Sequence, residues 1–407
     1  MLVLRDRGHD DKMTTKFSTE QVSGPAKDSY ALAKKATEGA LKKLGGKPDL
    51  AVVYCDVIYD TREVLRGIRE TTKDTPLIGC TSYGEFTEKE AHRGTISVAL
   101  ICSDDMKFYT AIARNLKEDP DRAVNDLKKA LPSEVRGFPY SYGLLYLDSL
   151  TGMSEEIVLG IHLAFPDAAL VGGGAADISM DEPQVFSNDE VATDALALCT
   201  IFSKKKMGMS VTHGLSPAFG PLKVTKAKDN VVLELNNRPA WEEWKETVAE
   251  DVKKNYGIDL SDAGQEQAMP ILLVHYLLAI KTDEDSYKIR GVSWVTKEGG
   301  LVFMCGVVEN SELYVMGYTK DGLINAAKKG AARALKDLNT KPAGALIMDC
   351  AARGIILDEK FIGEAKGIRD ALGTPLLGFE AMGEVCMAPG QFSGFHNATV
   401  VSLVLPE

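Results

Sequence analysis

One pattern of strands, helices and glycine turns occurs three times in this chain, and this repeat constrains the fold more than any other feature. The stretch PLIGCTSYGEF begins at Pro76, and the similar stretch PLLGFEAMGEV begins at Pro375. Each follows an apolar run typical of a buried strand, then a polar break, then apolar residues at helical spacing. A third copy, Leu145 to Val171, is followed by the related turn GGGAAD. The repeat therefore predicts one strand–helix–strand unit that is used three times.

The flanks of the three copies repeat as well. An Ala-rich amphipathic helix is predicted before each copy, at Ser29–Leu44, Asp121–Leu131 and Gly322–Leu338. Alternating runs follow the copies, TISVALI, ATDALALCTIF and NATVVSLVL, and they indicate antiparallel or mixed-sheet strands. We therefore expect an α/β fold with mixed sheets and additional antiparallel strands. In this fold Val53, Leu145 and Leu346 should occupy equivalent central strands.

Composition allows two domains and argues against several classes of partner. The chain has 407 residues, of which 45% are hydrophobic, and this is enough for more than one core. Its net charge of −11 disfavours nucleic acid, which is usually bound by clustered Lys and Arg. The longest apolar run, Ile271 to Ile280, is about half of what a membrane-spanning helix requires. The seven scattered cysteines, without a C-x-x-C pair, indicate reduced thiols in a cytoplasmic protein.

Several separated motifs together resemble one family. They are the run MSVTHGLSPAFG and its continuation to Trp244, the turns GCTSYGEF and GGGAAD, and the carboxyl-terminal series CAAR, GFEAMGE and FHNAT. In this order they resemble FIST proteins. The resemblance implies an amino-terminal FIST domain over residues 28–235 and a carboxyl-terminal FIST domain over residues 240–407. We expect residues 1–27 to be a disordered extension.

The resemblance also implies a function. FIST domains are expected to be prokaryotic sensory modules that bind small ligands such as amino acids and work with signal-transduction outputs. After FHNAT only one more strand is predicted, so we expect this protein to act in trans on another signalling polypeptide. The expected partners are therefore a small molecule and a signalling protein, without nucleic acid or membrane insertion.

Arg353, in the motif DCAARG, is the strongest single candidate for ligand binding. A loop after a buried strand can present its guanidinium as a bidentate fork to a carboxylate. Alternatively, Arg353 pairs with a structural carboxylate such as Glu384. Cys350 is a nucleophile only if a neighbouring group lowers its pKa, with His396 as the available base, and otherwise it is an inert buried thiol.

The glycine corners supply the remaining candidates. Glu85 and Glu384 follow the corner glycines of their copies, with Gly383 directly before Glu384. Their carboxylates could bind a ligand ammonium, or they could accept hydrogen bonds from their own turns. Additional candidates are Asp177 in the second copy, and His396 and Asn397 at the start of the last strand.

Known catalytic signatures are mostly missing from the sequence. There is no phosphate loop, no H-E-x-x-H, no G-x-S-x-G elbow and no Cys/His spacing typical of zinc. We therefore predict no catalytic residues, no metal and no cofactor. Ligand binding with a conformational output is the leading hypothesis. The alternatives are an enzyme that uses Cys350 or Glu384 on a small carboxylate or carbonyl substrate, and a scaffold whose corners are purely structural.

Overall fold

The computed structural model describes residues 15–177, 182–261, 263–283 and 286–407, and these residues form four β-sheets with helices packed against them. Three segments share the order strand, helix, strand, helix and four strands, and we call them units one to three. Unit one comprises β1 (Lys16–Ser23), α1 (Ser29–Leu44), β2 (Leu50–Cys55), α2 (Thr61–Thr72), β3 (Leu77–Thr81), β4 (Glu85–Thr87), β5 (Ala91–His92) and β6 (Thr95–Cys102). Unit two comprises β7 (Met106–Arg114), α3 (Pro120–Ala130), β8 (Tyr140–Asp148), α4 (Ser154–Ala164), β9 (Ala168–Ala175), β10 (Val185–Ser187), β11 (Glu190–Ala192) and β12 (Ala195–Ser203).

Unit three begins with a strand and then contains a large insertion. That strand is β13 (Gly208–Thr212). The insertion comprises β14 (Ser216–Lys228), β15 (Val231–Leu235), β16 (Arg238–Pro239), α5 (Ala240–Tyr256), α6 (Gln265–His275), β17 (Leu278–Asp283), β18 (Ser286–Arg290), β19 (Val292–Val295), β20 (Leu301–Phe303) and β21 (Glu312–Gly317). The unit continues with α7 (Lys320–Leu338), β22 (Pro342–Cys350), α8 (Ala351–Leu357), α9 (Phe361–Leu372), β23 (Leu376–Ala381), β24 (Glu384–Met387), β25 (Phe395–His396) and β26 (Val400–Pro406).

The three units exchange hairpins in a ring. Each unit builds a sheet around its parallel strand pair, β2/β3, β8/β9 or β22/β23. The last two strands of that sheet come from another unit: β10–β11 join β3, β24–β25 join β9, and β4–β5 join β23. The rings of Tyr54, Tyr146 and Phe379, one from each unit, pack together with centroids 4.3 to 5.7 Å apart. The mixed α/β fold and its threefold repeat are therefore confirmed.

Val53, Leu145 and Leu346 occupy equivalent central strands, as predicted, although not the same position along them. Val53 and Leu145 pair with Gly79 and Gly172, whereas Ile347, not Leu346, pairs with Gly378. The strand is the predicted one, but unit three carries the extra helix α8 between its two parallel strands. Leu346 therefore lies one position before the residue equivalent to Val53 and Leu145.

The glycine that ends each Pro-Leu-Ile-like run has a steric cause. A Cβ added to Gly79 would lie 2.0 Å from the carbonyl oxygen of Val53, and one added to Gly378 would lie 2.2 Å from the ring of Phe86. Such distances are far below contact distance, so a side chain here would push the paired strand or the exchanged hairpin away. The repeated glycine is therefore explained by close packing within the sheets.

The amino terminus corrects one expectation. Residues 1–14 lie outside the described residues, but Lys16–Ser23, predicted as part of a disordered extension, form β1 and pair with β6 along eight residues. Phe17 is buried in the central core, and it fills the space over Gly344. Because β6 offers an open edge and a matching apolar face, this segment is stabilised as an outer strand.

The insertion in unit three forms a separate eight-stranded sheet with α5 and α6, and it has its own core around Trp244. The division predicted between residues 235 and 240 lies within this insertion, so it does not coincide with the structural repeat. The sheet's hairpin β17–β18 faces unit three, where the largest cavity opens. In the described part of the chain, no helix combines the length and apolarity that crossing a membrane demands.

Candidate functional site

The two Gly-Glu corners of the repeat are buried structural joints. Glu85 accepts hydrogen bonds from the hydroxyls of Ser82 and Thr95. At the equivalent corner, Glu384 accepts bonds from the backbone N–H and hydroxyl of Thr399, at 3.0 and 2.8 Å. In both copies the glutamate therefore ties its corner to the beginning of the unit's last strand. This geometry favours the structural alternative for both carboxylates.

Gly383 and Cys350 belong to the same buried corner. Gly383 has φ +85°, and an added Cβ would lie 2.2 Å from the ring of Phe395, so only glycine fits. Burial, and then the neighbouring Glu384, raise the pKa of the Cys350 thiol well above its usual value. A thiol with a raised pKa carries little thiolate, which is the reactive form. The inert alternative is therefore favoured for Cys350.

Arg353 is fully buried, and its guanidinium is occupied by the protein itself. It forms a bidentate pair with Glu364, from Nη2 to Oε2 at 2.7 Å and from Nε to Oε1 at 3.2 Å, and its Nε also donates to Asp349 at 3.0 Å. It also donates to the carbonyl oxygens of His213 and Leu323. The geometry therefore favours the alternative in which Arg353 pairs with a structural carboxylate, although its partners are Glu364 and Asp349 rather than Glu384. These ion pairs hold α8, α9 and β22 together.

Asp177 and Asn397 are likewise buried in local contacts. The Asp177 carboxylate accepts a hydrogen bond from the backbone N–H of Glu182, 3.1 Å away. The Asn397 side chain accepts from the backbone N–H of Gly291 at 2.9 Å, and this bond joins unit three to the eight-stranded sheet. Asp177 follows β9, the strand on which Gly173 pairs with Glu384 of β24, and its bond from Glu182 lies within its own loop.

The largest cavity, of about 970 Å³, lies between unit three and the hairpin β17–β18. We call it the basic cavity because three cationic side chains line it, those of Lys288, Arg290 and Arg333. Among the described residues that line it, none is a carboxylate. His396 also lies in its wall, so it is the member of the predicted site that reaches this cavity.

The side chains of Lys288 and Arg290 share one acidic partner beneath the cavity wall. Glu155, from α4 of unit two, lies 2.9 Å from an Nη of Arg290 and 3.5 Å from Nζ of Lys288. Arg290 is 8% exposed, and its Nε has no hydrogen-bond partner among the described residues. Two cations against a single carboxylate leave a net positive charge at the cavity wall.

The pKa shifts in this cluster agree with an excess of positive charge. Burial and the nearby Arg290 lower the pKa of Lys288 to about 8. Burial raises the pKa of Glu155, but Lys288 and Arg290 outweigh it, so the net shift is downward. Burial and then Lys288 lower the pKa of His396 to about 4, which keeps its imidazole neutral at pH 7. An anion placed here would relieve this repulsion.

A second cavity of about 570 Å³ adjoins the basic cavity, and we call it the apolar compartment. The two cavities share part of their wall, including Val211, Arg333, Gln391, Ser393 and His396. The other side of the apolar compartment carries mainly apolar and aromatic residues, among them Pro139, Tyr140, Ala169, Met207, Met209 and Pro389. The two spaces therefore form one groove with a cationic and an apolar end.

A smaller cavity of about 330 Å³ surrounds the buried carboxyl group of Glu380. Gly84 and Gly354 leave the space that this group occupies, since a Cβ on Gly354 would lie 1.9 Å from its Oε2. Burial raises the pKa of Glu380 to about 7, against the opposing effect of Arg93. One acceptor in a small cavity defines a ligand less sharply than the basic cavity does, so the basic cavity is the stronger candidate.

The sequence analysis missed the cations that define the site. Lys288 and Arg290 are two residues apart in YKIRG, and this spacing places both on one face of a strand. That pattern was available in the sequence, although nothing local connects it with Glu155 or Arg333. Among the described residues, no group of three or more His, Cys, Asp or Glu side chains is arranged to hold a metal ion.

The buried corner glutamates predict a characteristic pH dependence. Burial raises the pKa of Glu85 to about 8, with Asp56 and Glu380 adding to the shift against the bonds from Ser82 and Thr95. Folding therefore favours the neutral carboxyl group. The contribution of this group to the stability of the fold is complete below the unfolded pKa near 4.3 and is lost as pH rises towards about 8. In the wild type, ionisation of Glu85 should lower the free energy of unfolding by up to about 1.4 kcal/mol for each pH unit between about pH 5 and 8. We expect Glu85→Gln to remove this contribution, so its free energy of unfolding should fall less over that range.

Urea unfolding at several pH values measures this effect. Glu298→Gln, which changes an exposed carboxylate, is the matched control and should keep the wild-type slope. A slope unchanged in Glu85→Gln would show that this carboxyl group is ionised throughout the range.

Comparisons with known proteins agree on one assignment. Residues 49–238 match the FIST N domain and residues 240–387 match the FIST C domain. The uncharacterized protein MJ1623 of Methanocaldococcus jannaschii is 25% identical over 320 residues, which are 73% of this chain and only 58% of that protein. The uncharacterized protein Rv0628c of Mycobacterium tuberculosis is 25% identical over 391 residues, which are 90% of this chain and 93% of that protein. A solved structure of a cyanuric acid hydrolase aligns with 97% of this chain and all of its own, at a TM-score of 0.33 and 7% identity.

The matched domains identify the class and the family of this protein. FIST domains are sensory domains of signal transduction proteins. The two matched regions cover most of the chain in the order N then C, and the chain belongs to the FIST family.

Proposed function

We propose that this FIST protein senses a small carboxylate-bearing molecule, with amino acids among the candidates, which binds in the basic cavity. The observation that carries the proposal is Arg290, a buried guanidinium in the cavity wall whose Nε has no partner among the described residues. A buried polar group without a partner is costly, and a carboxylate would satisfy it with a charge-assisted hydrogen bond. Arg290 and Lys288 thus replace Arg353 as the proposed carboxylate anchors.

An amino acid would also need an acceptor for its ammonium group. The Nε2 of His396 lies 3.1 Å from the carbonyl oxygen of Cys386, so in the neutral ring this nitrogen carries the proton. The other ring nitrogen is then an acceptor. His396 thereby keeps a role in the proposed site, as a neutral hydrogen-bonding group.

The same cluster offers a route from ligand to signal. Glu155 pairs with both cations and also accepts a hydrogen bond from the backbone N–H of Gly394 at 2.9 Å. Ser393, in the same loop, accepts a bond from Lys288. A ligand carboxylate would compete with Glu155 for Lys288 and Arg290 and would therefore change the contacts that hold this loop.

The loop also carries a group that a second protein could contact. Phe392 is 79% exposed, between two residues, Gln391 and Ser393, that line the groove. We propose that a separate signalling polypeptide in the prokaryotic cytoplasm reads the position of this loop. A ligand can shift such an equilibrium only through its different affinity for the two loop positions.

The enzyme hypothesis receives less support from the geometry. The Cys350 thiol is buried with a raised pKa, and Glu384 is bonded to Thr399. A nucleophile needs a lowered pKa or an adjacent base. Neither residue lines the basic cavity, so binding without turnover remains our proposal.

A thermal-shift screen against amino acids and common carboxylates tests this function. A ligand that binds only the folded protein stabilises it by RT ln(1 + [L]/Kd), so we expect a concentration-dependent rise in Tm. In a Phe392→Trp variant the same compounds should change the fluorescence of the new tryptophan. If uncharged analogues raised Tm equally, the ligand would not be recognised through its carboxylate.

A further inference from the structure

The adjoining apolar compartment narrows the class of ligand. Several of its polar side chains are already bonded within the protein: Lys206 pairs with Asp337 at 2.5 Å, and Ser210 donates to the carbonyl oxygen of Gly330 at 2.8 Å. The hydroxyl of Tyr142 accepts from the backbone N–H of Met207 at 2.8 Å. What this compartment offers a ligand is therefore chiefly apolar surface.

The two ends of the groove thus favour different chemical groups in a ligand. In the basic cavity, the cations Lys288, Arg290 and Arg333, without a carboxylate among the described lining residues, favour an anionic group. In the apolar compartment, the side chains of Met207, Met209 and Ala169 favour an apolar part of the ligand, because contact between them removes apolar surface from water. The shared wall at Val211 and His396 makes the two spaces neighbours, so one molecule can reach both.

We infer that the ligand is an amphipathic monocarboxylate, with its carboxylate at Arg290 and an aryl or alkyl body in the apolar compartment. This inference rests on the proposed function, because it takes the basic cavity as the sensory site. It goes further by excluding small hydrophilic acids as the preferred ligands. Burying the apolar body removes it from water, which favours binding in proportion to the area covered.

Calorimetric titration with three related probes tests the inference. Phenylpropanoate carries both parts, propanoate lacks the ring, and phenylpropanol lacks the charge. We expect phenylpropanoate to bind about ten- to a hundredfold more tightly than propanoate, because its ring is buried. Phenylpropanol should bind more weakly than phenylpropanoate, since it leaves the cations without a partner.

Two variants assign the two ends of the groove. Arg290→Gln should weaken both carboxylates, whereas Ala388→Phe should weaken phenylpropanoate alone. Ala388 is exposed and lines only the apolar compartment, so a phenyl ring there fills the compartment without disturbing the core. Both variants are compared with the wild type after circular dichroism has confirmed their folding.

The outcomes separate this inference from the function on which it rests. If propanoate and phenylpropanoate bind equally and both depend on Arg290, the basic cavity is a carboxylate site, but the inference of an amphipathic ligand is wrong. The same holds if Ala388→Phe leaves phenylpropanoate binding unchanged. If phenylpropanoate binds and Arg290→Gln has no effect, both the inference and the proposed site are wrong. Absence of binding by both carboxylates would overturn the inference, and the thermal-shift screen would then decide the proposed function.

Discussion

Arg353→Ala is expected to lower the free energy of unfolding by about 3 to 5 kcal/mol, the usual result of removing one partner of a buried ion pair. The guanidinium is 0% exposed, as are its partners Asp349 and Glu364. Removing it leaves two carboxylates in a low-dielectric site without a cation, and the carbonyl oxygens of His213 and Leu323 without a donor. Arg353→Lys should recover part of the loss, because an ammonium keeps the charge but cannot bond Glu364 bidentately.

Urea unfolding followed by far-UV circular dichroism measures this loss. The matched control is Arg66→Ala, which removes an exposed pair with Glu63 and should change the free energy of unfolding by less than about 1 kcal/mol. The double variant Arg353→Ala with Glu364→Ala should be less destabilised than the sum of the two single variants, since each loss leaves the other charge unpaired. An Arg353→Ala protein as stable as the control would remove the buried pair from our account.

The repeat was predictable because its causes are local. The strand, helix and glycine order of each unit is visible in apolar spacing, as in Leu77–Thr81, and α1 has the predicted bounds Ser29–Leu44. The exchange of hairpins was not predictable, since β4 pairs with β23 across nearly three hundred residues. Short strands such as β4 have no pattern that specifies which sheet they join.

The site was harder to predict than the fold, for a related reason. Arg353 follows a buried strand and Glu384 follows a glycine corner, and in both places the structure uses the side chain to hold elements together. The basic cavity instead combines Arg290 from the insertion, Arg333 from α7 and His396 from β25. These residues are far apart in the sequence, so their proximity could not be predicted. The pairing of Arg290 with Glu155 of unit two could not be predicted either, for the same reason.

Arg290→Gln is expected to have the largest effect on ligand binding. A hydrogen bond between a buried guanidinium and a carboxylate contributes about 1.5 to 3 kcal/mol, so the substitution should weaken binding about ten- to a hundredfold. Glutamine retains a polar group on a shorter side chain, and Lys288 still balances Glu155, so the fold should persist. Arg290→Lys should bind with intermediate affinity, since it preserves the charge without the planar fork.

Arg238→Gln provides the matched control for this experiment. It also changes an arginine of the insertion that is paired with glutamate, but Arg238 is exposed and does not line the groove. Any general effect of losing a positive charge from the insertion would therefore appear in both variants. A specific effect on the site would appear only at Arg290.

Calorimetric titration of the wild type, Arg290→Gln and Arg238→Gln with the carboxylate that gives the largest thermal shift is the most direct test of the basic cavity as the sensory site. We predict that Kd rises about ten- to a hundredfold in Arg290→Gln and stays at the wild-type value in Arg238→Gln. Equal Kd values in all three folded proteins would contradict the account and place the ligand elsewhere in the molecule.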